Sequence, residues 1–171
     1  MRDWDELVDS HARLVFGVAY RIVGRVHDAE DVAQETFREA FELAARGGVT
    51  DWRGCLCRIA AFRAIDVVRR RRKHGSLDAA LASSEPEPIA ELEARELGER
   101  LRSSLAELPR QSAAVFVLTY FEQLSRDEIA RALGIKPQAV SVALFKARKQ
   151  LQQLLVDSEK DKEEVRHESE Q

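Results

Sequence analysis

Apolar residues recur along this chain at intervals of three and four, with charged residues between them, and that period predicts α-helices throughout. Leu7, Leu14, Val15, Val18 and Ile22 form the first stripe, opened by a possible capping box of Asp3 and Glu6 and closed at Gly24. After a break at 24–27, Asp28 has the chemistry of a helix cap. Val32, Ala33, Phe37, Ala40, Phe41 and Ala44 then predict a second helix ending at Gly47 and Gly48. Asp51 caps a third, whose inward stripe is Trp52, Leu56, Ile59, Ala60 and Val67. Ile89, Leu92, Leu97, Leu101, Leu105 and Leu108 mark an acidic helix, interrupted at Gly98 and stopped by Pro109. Ala114, Val115, Val117, Leu118 and Phe121 place another over 111–121.

The clearest punctuation lies in LSRDEIARALGIKPQAVSVALFKARKQL. Ser125 and Glu128 have the spacing of a capping box, and Ile129, Ala130 and Leu133 share one face of a short helix that Gly134 ends in a left-handed turn. Pro137 then suits a first helical position, and Val140, Leu144, Ala147 and Leu151 continue at spacings of four, three and four. Two short helices crossing at a glycine turn make a helix-turn-helix. The second presents Lys136, Gln138, Ser141, Lys146, Arg148 and Lys149 outward, with no acidic residue between Glu128 and Asp157, a face suited to a phosphate-lined groove. A helical hairpin with a solvated basic face is the bland alternative.

The composition GSLDAALASSEPEP changes the picture from one unit to two, because small and acidic residues with two prolines are linker chemistry rather than core. The expected fold class is all-α, with two small helical domains at 1–74 and 96–156, a flexible linker over 75–95 and a charged mobile tail over 157–171. The net charge of −3 hides a strong segregation. From Trp52 to Gly75, seven arginines and one lysine face a single acid, Asp66. The run of Arg69, Arg70, Arg71 and Arg72 can be dipole trim at a helix end, but with Arg53, Arg58 and Arg63 continuing up the helix it reads better as a nucleic-acid track. Glu30, Asp31, Gln34 and Glu35 face away from the second apolar stripe, as dipole trim or as a docking face.

Little points to chemistry of other kinds. Cys55 and Cys57 stand two apart on a helix, pointing to nearly opposite sides, so neither a bridge nor a shared metal is expected and both read as packing residues. His11, His27, His74 and His167 lack ligand spacing, and neither a metal nor a cofactor is proposed. No phosphate loop, nucleophile elbow or zinc-hydrolase motif occurs. No apolar run approaches a membrane span and the N-terminus has no signal-peptide character, so a cytoplasmic protein without direct membrane insertion is expected.

Three ordered blocks, DAEDVAQETFREAF, WRGCLCRIAAFRAIDVVRRRR and LAELPRQSAAVFVLTYFEQLSRDEIARALGIKPQAVSVALFKARKQL, resemble the extracytoplasmic-function sigma factors of bacterial RNA polymerase. The resemblance spans about Glu6 to Leu155. It implies an alternative sigma factor that binds core RNA polymerase and directs promoter-specific initiation, with promoter DNA and an anti-sigma factor as further partners and no enzymatic step. By position it implies polymerase contacts at Asp28, Glu30, Asp31, Gln34 and Glu35. Contacts to the minus-ten element would come from Trp52, Arg53, Arg58, Phe62, Arg63, Arg69, Arg70, Arg71 and Arg72. Those to the minus-thirty-five element would come from Arg126, Lys136, Gln138, Ala139, Ser141, Val142, Phe145, Lys146, Arg148 and Lys149. The chain departs from the family's pattern where DNA is read. Cys55 and Cys57 replace aromatics, Ala61 and Phe62 replace a polar Arg-Asn pair, and Ser141 and Ala143 stand where basic residues are frequent. A sigma-like mimic that sequesters an anti-sigma factor without binding promoters is the alternative, and it has no need of the arginine run.

Overall fold

The computed structural model describes residues 2–74 and 89–169, with side chains described over 4–74 and 91–157. Its elements are α1 (Arg2–Val23), α2 (Val26–Arg46), α3 (Trp52–Lys73), α4 (Ile89–Glu107), α5 (Arg110–Tyr120), α6 (Arg126–Leu133) and α7 (Pro137–Ser169). Among the described residues no strand occurs. Of the expected linker over 75–95, residues 75–88 lie outside the described residues, as does the side chain of Asp3 in its capping box.

α1, α2 and α3 pack on one another, with Val15, Val18 and Ile22 meeting Val32, Ala40, Leu56 and Ile59 in a closed core. Each fully buried Val, Leu or Ile among them contributes about 1.5–3 kcal/mol. α5, α6 and α7 enclose a second set, including Val115, Leu118, Ile129, Val140, Ala147 and Leu151. The two sets join through α3, which packs against α1 and α2 on one side and against α4, α5 and α6 on the other. One contiguous apolar cluster therefore runs through both halves.

The sequence of α3 explains its central place. Beyond the stripe read from spacing, Cys55, Cys57, Ala61, Ala64, Ile65 and Val68 are buried as well, so the helix is apolar nearly all round, as a helix between two layers must be. Small side chains let neighbours come close. Gly54 is buried, and a Cβ there would lie 3.4 Å from Cβ of Ala132 on α6.

Local punctuation matches the expectation at α3 and α6. Asp51 accepts from the Gly54 N–H at 3.0 Å, Ser125 and Glu128 form the capping box, and Gly134 is left-handed with φ 65°. Elsewhere it differs. α2 begins at Val26, with Arg25 as an N-cap that makes no side-chain cap bond, so Asp28 sits in the first turn, where its charge suits the dipole. α4 runs without a break through Gly98 and already from Ile89, because one glycine costs a helix only about 1 kcal/mol and packing of Leu101 and Leu105 outweighs it. Residues 89–95, assigned to the linker, are thus helical. α7 likewise continues through the charged tail to Ser169.

Candidate nucleic-acid and polymerase interfaces

The acidic face of α2 divides in two. Glu30, Asp31 and Gln34 are exposed, whereas Asp28 and Glu35 are half-buried and turned toward arginines of α3. Asp28 pairs with Arg71. Glu35 pairs with Arg38 at 2.7 Å and lies 3.7 Å from Arg63. The hydrogen bonds from Arg38 hold its carboxyl below the usual carboxylate range, with Arg63 adding to the effect. Between α2 and α3 runs a groove of about 490 Å³, floored by Val32 and Val67 and rimmed by Asp31, Glu35, Arg63 and Arg70.

The basic residues of α3 are not equivalent. Arg53 and Arg70 are exposed. Arg63 is drawn onto α2 by Glu39, which accepts from its Nη2 at 2.7 Å and its Nε at 3.1 Å. Arg71 donates to the Val23 carbonyl at 2.8 Å, and its burial lowers the guanidinium pKa, with Arg25 as the next cause. Arg69 donates to the Leu108 carbonyl and Arg72 pairs with Glu107 at 2.9 Å, both across the molecule. Trp52 is half-buried and meets Trp4 edge-on, with centroids 6.2 Å apart. Arg58 turns back to Sγ of Cys55 at 3.8 Å. The Phe62 ring lies under the Arg110 guanidinium, 4.2 Å from its centroid. The predicted track is therefore one helix with two open arginines and several committed ones.

The helix-turn-helix differs in kind. Buried Ile129, Ala130, Val140 and Ala147 hold α6 across α7, and the capping box fixes where α6 begins. That orientation leaves Arg126, Lys136, Gln138, Ala139, Ser141, Val142, Phe145, Lys146, Arg148 and Lys149 all exposed. Ala143 is half-buried and packs on the core, so it is not part of this face. Phe145 is 69% exposed and Val142 52%, apolar surface on the same face as the basic and amide side chains.

Two contacts that spacing did not reveal tie the halves together. Asp66, the single acid of α3, binds Arg110 in a fork at 2.8 and 3.0 Å. Glu122 is buried and accepts from Arg21 of α1. An isolated acid in a basic helix was the only available signal for the first. Nothing local marks the second.

Both cysteines are free and buried, and burial, followed by the charge of Glu122, pushes the Cys57 thiol up to about 12. Both are packing residues. Among the described residues no helix is long and apolar enough to cross a membrane, and no group of three or more His, Cys, Asp and Glu is placed to hold a metal ion.

Comparison with known proteins gives matches in both halves. Residues 7–74 match sigma-70 region 2 and residues 98–151 match sigma-70, region 4. The chain is 35% identical over 161 residues to the ECF RNA polymerase sigma factor SigE of Mycolicibacterium smegmatis, covering 91% of this chain and 62% of that protein. It is 34% identical over 146 residues to the RNA polymerase sigma factor CnrH of Cupriavidus metallidurans, covering 78% of this chain and 76% of that protein. The solved structure of CnrH in complex with the cytosolic domain of CnrY is similar at a TM-score of 0.60 and 26% identity, over 91% of this chain and 89% of that one.

Proposed function

The chain belongs to the extracytoplasmic-function sigma factors, and from that premise we propose how its residues direct core RNA polymerase to promoters. α2 offers polymerase the exposed Glu30, Asp31 and Gln34, with Glu35 and Asp28 at the edge of the same face. α3 supplies the minus-ten contacts, Arg53 and Arg70 first because they are already open. α7 enters the major groove of the minus-thirty-five element. The work is binding, not covalent chemistry, and takes place in the cytoplasm, where polymerase and DNA are. An anti-sigma factor is the expected regulator. Residues 1–74 and 96–156 are the two functional units.

The observation that carries this reading is the face of α7. A capped α6, anchored by buried Ile129 and Ala130, holds a helix whose first turns expose basic, amide, hydroxyl and apolar side chains with no acid among them. Gln138 and Ser141 stand about one turn apart near its start, where base edges are met. Gln138 pairs with adenine through two hydrogen bonds, worth about 1–3 kcal/mol of discrimination. Gln138→Ala therefore relaxes the preferred sequence at one or two positions. Lys149→Ala weakens binding to all sequences alike.

The test is binding of both variants to a library randomised across the minus-thirty-five element, beside co-purification with core polymerase. Asp31→Lys with Glu35→Lys is expected to abolish the co-purification while helix content stays unchanged. A double variant that still retains polymerase overturns the docking face. An unchanged preferred sequence in Gln138→Ala overturns the placement of α7.

A further inference from the structure

We propose that the groove between α2 and α3 is a binding site for a guanine nucleotide, and that a bound nucleotide keeps polymerase off α2. The phosphates lie where α2 begins and α3 ends, and the base lies at the acidic end. The site stands on the groove's own residues. Its effect on polymerase rests on the assignment of α2 to polymerase given above.

The groove has the size of a small-ligand site and is chemically polarised. Its volume of about 490 Å³ falls within the range of about 300–1,000 Å³ that such sites occupy. α2 and α3 run antiparallel along it, Asp28 facing Arg71 and Glu35 lying near Arg63. At one end Arg25, Arg70, Arg71 and His74 line the wall with Asp28. Toward the other stand Asp31, Glu35 and Arg63, with Val32 and Val67 as an apolar floor between. Neither Arg25 nor His74 is accounted for by the polymerase and promoter contacts assigned above.

The basic end suits phosphate. Asp28 and the Val23 carbonyl already engage Arg71. Arg70 and His74 are both exposed one turn apart on α3, and Arg70 donates to the Asp66 carbonyl of its own helix from 3.4 Å. A phosphate offers both of them acceptors, and the guanidinium fork matches its oxygens. Burial lowers the Arg71 guanidinium pKa, and the charges of Arg25 and then Arg102 lower it further against the pull of Glu99. Like charges crowd this end, and an anion relieves them.

The acidic end suits a guanine edge. Asp31 is exposed, and the Glu35 carboxyl is held below the usual range, so both are acceptors only at neutral pH. Guanine sets two N–H donors side by side, which the two oxygens of one carboxylate accept together. Adenine sets an acceptor beside its donor, and a carboxylate repels it. Val32 and Val67 give the base and sugar an apolar surface between the polar ends. Arg25 and Asp31 stand six residues apart, about 9 Å along α2, so an extended nucleotide reaches from one end to the other. Its base then covers Asp31 and Glu35, the acids offered to polymerase.

The experiment titrates the full chain, without polymerase, with GTP, ATP, tripolyphosphate and guanosine in a calorimeter. GTP is expected to bind at one site, at least about tenfold tighter than each of the others. Arg70→Ala with His74→Ala should weaken GTP binding at least about tenfold. Asp31→Asn should bring GTP toward the affinity of ATP while tripolyphosphate binds no more weakly. Arg13→Ala with Arg46→Ala, exposed arginines that do not line the groove, should keep wild-type affinity for GTP. Slow modification of buried Cys55 and Cys57 by a soluble disulfide reagent checks that each variant keeps its packing. Absence of saturable GTP binding overturns the site. Tripolyphosphate binding as tightly as GTP shows attraction for phosphate charge alone, as of a DNA backbone, and overturns the nucleotide. Unchanged GTP affinity in the Arg70→Ala, His74→Ala chain, or equal loss in the Arg13→Ala, Arg46→Ala chain, overturns its placement. GTP is then added during co-purification with core polymerase, where it should release the wild-type chain and spare the Arg70→Ala, His74→Ala variant. A chain that binds GTP and still retains polymerase overturns the competition. Co-purification without nucleotide reports separately on the sigma-factor reading itself.

Discussion

α3 and the first four turns of α7 carry the same kind of side chain, yet the structure uses them in opposite ways. On α7, Lys146, Arg148 and Lys149 stand in solvent on a helix whose other face alone is buried. On α3, Arg63, Arg69, Arg71 and Arg72 are tied to carboxylates and carbonyls of other helices, and the helix is buried on two sides. A basic helix with one apolar stripe is a surface ready for a polyanion. One that is apolar nearly all round gives most of its surface to its neighbours.

The sharpest way to break this contrast is to empty the core beneath α3. Leu56 is fully buried where α1, α2 and α3 meet, and Leu56→Ala is expected to cost about 2–5 kcal/mol. Because the apolar cluster is continuous through α3, denaturant unfolding should remain a single transition shifted to lower concentration. Two separated transitions would show that the halves are independent and that the comparison should be drawn between domains rather than between helices.

A smaller effect distinguishes neighbours within the arginine run. Arg71 lies against Asp28 and donates to the Val23 carbonyl from a mostly buried position, so Arg71→Ala removes that ion pair and the donor to the carbonyl, at about 1–3 kcal/mol. Arg70 is exposed, and Arg70→Ala should stay within about 0.5 kcal/mol. DNA affinity should show the reverse order, with Arg70→Ala costing more than Arg71→Ala in the polymerase-free chain. Equal effects in both assays would remove the distinction between committed and open arginines.

Gly24 probes the seam itself. Its φ of 70° is a conformation that a side chain adopts at a cost of about 1–2 kcal/mol, and the Arg102 guanidinium occupies the space a Cβ needs. Gly24→Ala is expected to lose about that much stability and to speed modification of the cysteines. Loss of stability with unchanged labelling would confine the effect to the α1–α2 turn.

These cases show what was legible beforehand. Ser125, Glu128, Gly134 and Pro137 act within a few residues of one another, and the helix-turn-helix they delimit formed where spacing placed it. Asp51 is local in the same sense. The committed arginines were not legible, because Asp66 meets Arg110 and Arg72 meets Glu107 across 44 and 35 positions of chain, and no period reports such a pairing. α3 misled for a related reason. A five-residue stripe fits a one-sided helix, and only the packing shows that Ala61, Ala64 and Ile65 are buried too. Phe41 was placed in a core stripe but is 55% exposed, meeting Trp4 edge-on at 5.1 Å, since the rim of a three-helix core has no fourth helix to cover it.

The smallest expected effect concerns how α7 is held. The Glu128 carboxylate accepts from the Ser125 hydroxyl and from the Ser125 N–H, each at 2.7 Å, while the Ser125 hydroxyl accepts from the Glu128 N–H at 3.3 Å. The bonds from the Ser125 side chain and then its backbone lower the pKa of Glu128. A carboxyl depressed by folding adds stability that is complete above its unfolded value and is lost as the pH falls through the folded one. Loss of a serine N-cap costs a helix about 1 kcal/mol, and Ser125→Ala is expected to show that loss near neutral pH. The difference from wild type should narrow in acid, where protonated Glu128 no longer attracts either donor as strongly. Denaturant midpoints of both proteins at neutral and acidic pH measure it. A gap that stays constant with pH would mean that the serine acts through the Glu128 N–H alone, and that the carboxylate contributes nothing to the placement of the helix proposed to read DNA.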